Sequence, residues 1–304
     1  MKDIIQNRKI WLSISGALAG LSALFLLIWG LNLGIDFTGG SLLEIRFKEN
    51  VPTVVDLEDS IEQLGVEGDV TVQPTEGNGF IIRFQATDEA AHQQLLTHIQ
   101  DSYAVDGAEE QNVTQDRFES IGPSIGQELR SKAIYAIILV LIFIVIYIAW
   151  AFRKVSFPLK SWKFGVVAIV TLFHDILITL GLFALLGQFL GVEVGLPFVA
   201  ALLTILGYSV NDTIVVFDRI RENLAKIGKS DFTGVVERSV QETISRSVNT
   251  SLTTLLVLLA IFFFGGASIQ FFILALISGV VLGTYSSIFV ASPLLVVWEK
   301  YSKK

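Results

Sequence analysis

Long apolar runs alternate with polar stretches along this chain. The runs cover residues 10–33, 133–152, 164–190, 196–217, 248–265 and 268–297. A helix of about 20 apolar residues crosses a hydrocarbon layer of about 30 Å. Inside that layer a backbone must satisfy its own hydrogen bonds, so each run is predicted to be a transmembrane helix. The 133–152 run holds no charged residue. Six runs of this length argue against buried helices of a large soluble protein. The first run follows a basic start (Lys2, Arg8, Lys9), as a signal peptide does. It is about twice as long as the apolar core of a cleaved signal, and Asn32-Leu33-Gly34 shows no small-x-small cleavage pattern. An uncleaved signal anchor is expected.

The polar stretch between the first two runs has a different rhythm. Residues 41–47 (SLLEIRF) alternate as a strand does, and 53–64 place Val54, Leu57, Ile61 and Leu64 at helical spacing. A short strand at 69–73, a turn at Glu76-Gly77-Asn78-Gly79 and a strand at 80–85 follow. Residues 88–103 form a second helix capped by Thr87 or Asp88, and 112–121 a last strand. The order β-α-β-β-α-β predicts an α+β, ferredoxin-like domain. It shows no catalytic cluster: His92 and His98 have no carboxylate or cysteine at ligand spacing and are expected on the surface.

Composition supports the membrane reading. Of 304 residues 52% are hydrophobic and 17% charged, against about 25% charged in soluble domains, and the mean hydropathy is +0.62. With no cysteine, disulfides, thiolate metal sites and a cysteine nucleophile are excluded. The net charge of −7 matters less than where charges fall. Lys and Arg number three in the N-terminal tail, four in 153–163, six in 218–247 and three after Trp298. All of these fall on one side if both termini are cytoplasmic, by the positive-inside rule. The inserted domain then faces the other side. The expected organisation is a cytoplasmic tail 1–9, a first span 10–33, an extracytoplasmic domain 34–131, a bundle 132–298 with cytoplasmic loops 153–163 and 218–247, and a tail 299–304. The acidic excess of the domain is a solvated surface and suits contact with unfolded, basic polypeptide.

Two acids lie inside predicted spans, and an intramembrane charge is a functional hypothesis by default. Asp175 sits mid-span beside His174. Asp212 lies in Leu206-Gly207-Tyr208-Ser209-Val210-Asn211-Asp212-Thr213. Its expected partner is Arg246, at the cytoplasmic mouth of the fifth span, where Arg246, Thr250, Thr253 and Thr254 recur at helical spacing. Burial favours a neutral carboxylic acid and a nearby guanidinium favours the carboxylate, so a group between the two influences can load and release a proton. Moving one charge through the membrane potential supplies about 2.3 kcal/mol per 100 mV. A static ion pair that only fixes helix packing is the other reading, and residue types alone do not choose. His174, Asp175, Asn211 and Thr250 form a candidate secondary intramembrane polar site. Gly16-x-x-x-Gly20 and Gly279-x-x-x-Gly283 are packing motifs of low specificity.

Several motifs together resemble one family. Gly34-Ile35-Asp36-Phe37-Thr38-Gly39-Gly40 is similar to the DFTGG motif of the SecF family. Ile121-Gly122-Pro123-Ser124-Ile125-Gly126-Gln127-Glu128-Leu129 resembles its GPxxGxEL string at the second span, and His174-Asp175 its third-helix HD pair. Residues 207–223 (GYSVNDTIVVFDRIREN) resemble the family's most specific string. The motifs stand in family order over essentially the whole chain. The resemblance implies half of an RND-type (resistance-nodulation-division) six-helix bundle with an inserted periplasmic domain in a bacterial inner membrane. It implies a transport subunit rather than an enzyme, with no cofactor, metal or nucleic acid. The implied partners are SecD, the SecYEG channel, SecA, YajC, unfolded preproteins and membrane lipid. The implied work is completion of preprotein export with the proton motive force after the ATP-driven SecA step. The family's relay aspartate falls on Asp212 and its essential arginine on Arg246. Asp36, Gly39 and Gly40 mark the junction of the first span with the domain.

Three other readings remain. A small-molecule RND exporter usually carries both six-helix halves in one chain, and here there is no internal repeat. An intramembrane aspartyl protease needs two carboxylates sharing a proton and typically Gly-x-Gly-Asp, which is absent. A structural clamp would have no proton role.

Overall fold

The computed structural model describes residues 4–64, 70–75, 77–85, 88–105, 111–152, 161–227 and 231–302. These fall into two compact units, one being Leu33–Ile134 and the other the chain on either side of it.

The smaller unit opens with a single helical turn, α2 (Ile35–Thr38), after the first long helix, α1 (Arg8–Ile28). Then come β1 (Gly40–Phe47), α3 (Val54–Glu62), β2 (Thr71–Thr75), β3 (Gly79–Phe84), α4 (Glu89–Ser102) and β4 (Val113–Ile121). The strands form one antiparallel sheet in the order β2-β3-β1-β4. Period-two alternation puts Leu43, Ile45, Phe47, Phe80, Ile82 and Phe84 on one buried face, against Leu57 and Ile61 of α3 and Leu95 and Ile99 of α4. Thr53 caps α3 in a reciprocal capping box with Asp56, and Asp88 caps α4 by accepting from the Ala91 N–H at 3.2 Å. Gly77 and Asn78, between β2 and β3, both take left-handed φ. Glu76, Thr87 and residue 69, which the sequence reading assigned to the turn, a cap and a strand, lie outside the described residues.

One expectation fails here. His92 is not a surface residue but is buried. It falls in phase with Leu95 and Ile99, on the apolar face of α4. Its ring stacks on Phe118 of β4 at 3.7 Å. Nδ1 meets Glu89 Oε1 and Nε2 meets Gln115 Oε1, each at 3.0 Å. A buried imidazole with both nitrogens occupied is a packing element. His98 is half-buried, with Nε2 2.9 Å from the Ser60 carbonyl.

The larger unit contains α1, the membrane part of α5 (Pro123–Ala151), α6 (Ser161–Leu190), α7 (Leu196–Ile227), α8 (Phe232–Phe264) and α9 (Ala267–Ser286). A π turn, Ser287–Ala291, joins α9 to α10 (Ser292–Ser302). Among the described residues, six helices are long and apolar enough to cross a membrane, the last being α9 through α10. The helices depart from the apolar runs at their ends. α5 begins ten residues before its run, at Pro123, whose missing N–H is harmless at a helix start.

Within the expected loop 218–247 the described residues are largely helical: 218–227 continue α7 and 232–247 begin α8. Hydropathy detects only the apolar length, and these polar turns are held by ion pairs. Arg219 bridges Glu222 and Glu242, both at 2.6 Å, and Arg238 meets Glu242 at 2.8 Å. Asn223 donates to the Glu242 carboxylate at 2.8 Å. Asp231 accepts from the Gly234 N–H at 2.9 Å and starts α8. Most of the 153–163 loop (153–160), together with Lys2, Lys229, Lys303 and Lys304, lies outside the described residues.

Candidate functional site: two carboxylates in the helix bundle

The site depends on how closely α7 and α9 approach. A Cβ built on Gly279 would lie 2.1 Å from the Ile205 side chain, and one on Gly283 would lie 2.9 Å from the Ser209 Cβ. A side chain at Gly279 would displace Ile205, and one at Gly283 would press on Ser209 and the α7 backbone. The Gly279/Gly283 motif is therefore a real packing device. Gly16 and Gly20 meet nothing within 4 Å in this chain. Just beyond Gly283, α9 ends in Ser286 and the π turn begins at Ser287. Pro293 follows, with no N–H to give the Phe289 carbonyl and a ring that crowds it. A widened turn before such a proline relieves the clash. Ser292 Oγ donates to the Ser287 carbonyl at 3.0 Å inside this turn.

The turn aims two neighbouring hydroxyls at two carboxylates. Ser286 Oγ donates to Asp175 Oδ2 at 2.7 Å, and Ser287 Oγ donates to Asp212 Oδ2 at 2.7 Å. Each serine has a second acceptor in its own helix, the Gly283 carbonyl at 3.2 Å for Ser286 and the Thr284 carbonyl at 3.0 Å for Ser287.

Asp175, on α6, is 1% exposed. Oδ2 also accepts from Ser209 Oγ of α7 at 2.6 Å, and Oδ1 lies 2.9 Å from His174 Nδ1. His174 is buried too, and its Nε2 has no hydrogen-bond partner among the described residues. Asp212, on α7 one turn after Ser209, is partly exposed. Its Oδ1 accepts from Ser247 Oγ of α8 at 2.5 Å. Beside it a hydroxyl thread runs from Tyr208, which donates to Ser251 at 2.9 Å, to Thr284, which is hydrogen-bonded to Ser251.

The structure brings together only some of the residues expected from sequence. His174 and Asp175 share a site. Asp212 and Arg246 do not pair: among the described residues Asp212 is bound by hydroxyls alone, and Arg246 is exposed. The buried stripe of α8 is Thr243, Ser247 and Ser251. It is offset from the expected Arg246-Thr250 stripe by one residue, or about 100° around the helix. Asn211 and Thr250 are exposed and belong to neither carboxylate. Sequence reading missed Ser209, Ser247, Ser286 and Ser287. The available signal was the serine pair in an otherwise apolar span, since intramembrane polar groups face the bundle interior.

The junction motifs form a second constellation, within the smaller unit. Gly39 and Gly40 have φ of +78° and +119°. A Cβ on Gly39 would lie 2.8 Å from the Pro123 Cα, and one on Gly126 would lie 2.9 Å from the Gly39 nitrogen. The two glycine motifs are thus the two halves of one backbone contact. Asp36 is the acid of the single turn α2.

Comparison with known proteins agrees with this architecture. Residues 102–301 match the family described as protein export membrane protein SecD/SecF, C-terminal, and 25–51 match the SecD/SecF GG motif. The chain is 42% identical to protein translocase subunit SecF of Thermobaculum terrenum, covering 98% of this chain and 94% of that one. It is 36% identical to SecF of Haemophilus influenzae, covering 96% and 84%. A crystal structure of SecDF from Thermus thermophilus superposes with a TM-score of 0.84 at 35% identity, over 97% of this chain and 38% of that longer one.

Proposed function

The chain belongs to the SecF family of protein translocase subunits, and from that premise we propose that it converts proton movement across the membrane into late steps of protein export. It does so beside a SecD partner of the same six-helix plan. The partner follows from the Thermus relative, whose SecDF chain is fused and is matched over 37% of its length. The pair acts on unfolded preprotein at the SecYEG channel after SecA, with YajC associated. Both termini are cytoplasmic, and the inserted unit is a periplasmic ferredoxin-like domain, a reading supported by its β-α-β-β-α-β order and antiparallel sheet.

One observation carries the proton reading: the hydroxyl surroundings of Asp212. A serine can donate to a carboxylate, or rotate and accept from a carboxylic acid. Ser287 has the Thr284 carbonyl at 3.0 Å to receive its proton in the second case. The same cage therefore solvates both protonation states, which an ammonium or guanidinium does not. Arg246 immediately precedes Ser247 on α8, so a rotation of α8 by about 100° exchanges the hydroxyl for the guanidinium. Proton release from Asp212 and arrival of Arg246 are then two faces of one helix movement. The same logic fits Asp175 less well. Its three polar contacts, with Ser209, Ser286 and His174, suit a fixed anchor, the structural clamp in its local form.

The test is export in inverted vesicles holding the chain and its partner subunit, with and without a proton gradient. Asp212→Asn should assemble normally and lose the gradient-dependent increment. Full gradient stimulation in that variant rejects the relay.

A further inference from the structure

We propose that the groove between the start of α6 and the end of α10 binds an anionic phospholipid. The inference needs only the membrane placement of these helices and is independent of the proton relay. The groove has a volume of about 330 Å³ and is lined by Val167, Val170, Leu294, Val297, Trp298 and Tyr301. Its walls are apolar except for the indole N–H and the phenol. At one end stands Lys163, with Nζ 5.7 Å from the centre of the Trp298 ring and 5.9 Å from that of Trp162. The two rings meet edge to face at 5.3 Å. Trp298 therefore belongs both to the groove wall and to the frame of the cation, so apolar slot and positive charge are continuous.

Charge complementarity selects the occupant. Lys163 donates to Ser302 Oγ and has no acidic partner among the described residues. The only acids on α6 and α10 are Asp175 and Glu299, and both are buried. Lys300 is exposed beside Tyr301. An aromatic and basic collar at the end of membrane helices marks the headgroup level. From Lys163 to Val170 is seven residues, or about 10 Å of helix, a depth for the upper part of an acyl chain. A phosphodiester over Lys163 and a chain in the slot use both ends of the site. A zwitterionic lipid brings its own cation and gains less from the lysine.

The experiment is native mass spectrometry of the full chain extracted from vesicles of equal parts phosphatidylglycerol and phosphatidylcholine. The wild type should retain phosphatidylglycerol preferentially. Lys163→Gln should lower that preference about fivefold, as one lysine near an anionic headgroup contributes, without changing phosphatidylcholine retention. Lys163→Arg should keep the preference, and Val170→Trp, which fills the slot, should lower retention of both lipids. Circular dichroism and thermal melting check that the variants fold. Equal retention of the two lipids, or an unchanged preference in Lys163→Gln, overturns the proposal. So does displacement of the lipid by inorganic phosphate alone, which would mark a plain phosphate site. Loss of retained lipid when the partner subunit is present would mean that a protein helix covers the groove, and also overturns it.

Discussion

Ser286 and Ser287 are neighbours in the chain, yet their hydroxyls serve different carboxylates, Asp175 and Asp212, each at 2.7 Å. In a regular helix adjacent residues point about 100° apart, so one turn reaches α6 with one side chain and the α7 aspartate with the next. The aspartates are thereby tied to the same short backbone segment. A shift of that turn moves the donors of both.

This arrangement predicts different effects for the two serines. Ser287→Ala removes a donor from Asp212 and should reduce gradient-stimulated export with little loss of stability. Ser286→Ala removes a donor from Asp175 and should lower thermal stability by the roughly 1 kcal/mol of an intramembrane hydrogen bond, with a smaller effect on export. Equal effects of both on both readouts would contradict the division of roles. Thermal melting of the purified chain and vesicle export measure the two sides.

The proposed relay needs the charge of Arg246 rather than a contact in the present state. Arg246→Ala should remove the gradient-dependent increment of export as Asp212→Asn does. Arg246→Lys should keep part of it, because an ammonium retains the charge but not the planar fork. Melting temperatures should hardly move, since Arg246 is exposed and unpaired among the described residues. Stopped export with a collapsed melting temperature would reassign Arg246 to packing.

The glycine pair at Gly39 and Gly126 gives a steric prediction with an internal control. Gly39→Ala combines a left-handed φ with a backbone clash at Pro123 and should destabilise the smaller unit by about 1–3 kcal/mol. Gly122→Ala meets nothing within 4 Å and should be close to neutral. Hydrogen exchange of the β1 amides in the full chain reads the difference.

The hydrogen bonds at Glu89 predict a pH effect in the smaller unit. Hydrogen bonds from Gln93 and then His92 hold the Glu89 carboxyl below its usual range. A depressed carboxyl contributes stability that is present above the unfolded value of about 4.3. That contribution is lost as pH falls through the folded value. Carbon NMR of the Glu89 carboxyl should show the depressed titration, with Gln93→Ala and His92→Ala each moving it back up.

How much of this was legible in the sequence differs from element to element. The six apolar runs alone determined the number of spans, because lipid leaves an apolar segment of that length no other form. The alternations at Leu43-Ile45-Phe47 and Phe80-Ile82-Phe84 likewise determined the strands, because a period of two has one buried face. Asp175 and Asp212 stood out because a charge in hydrocarbon must have a reason. Which groups surround them was decided only by tertiary structure. α8 is apolar on most sides in its membrane part, so its helical phase is not written in its pattern, and Ser247 rather than Arg246 meets Asp212. The π turn before Pro293 shifts the phase of the last helix, which no periodic reading anticipates. His92 looked like a surface residue until the sheet supplied Phe118 and Gln115. Local sequence sets which elements form; the angle at which each is presented to its neighbours comes from close packing such as that of Gly283 on Ser209, a property of pairs of segments far apart in the chain.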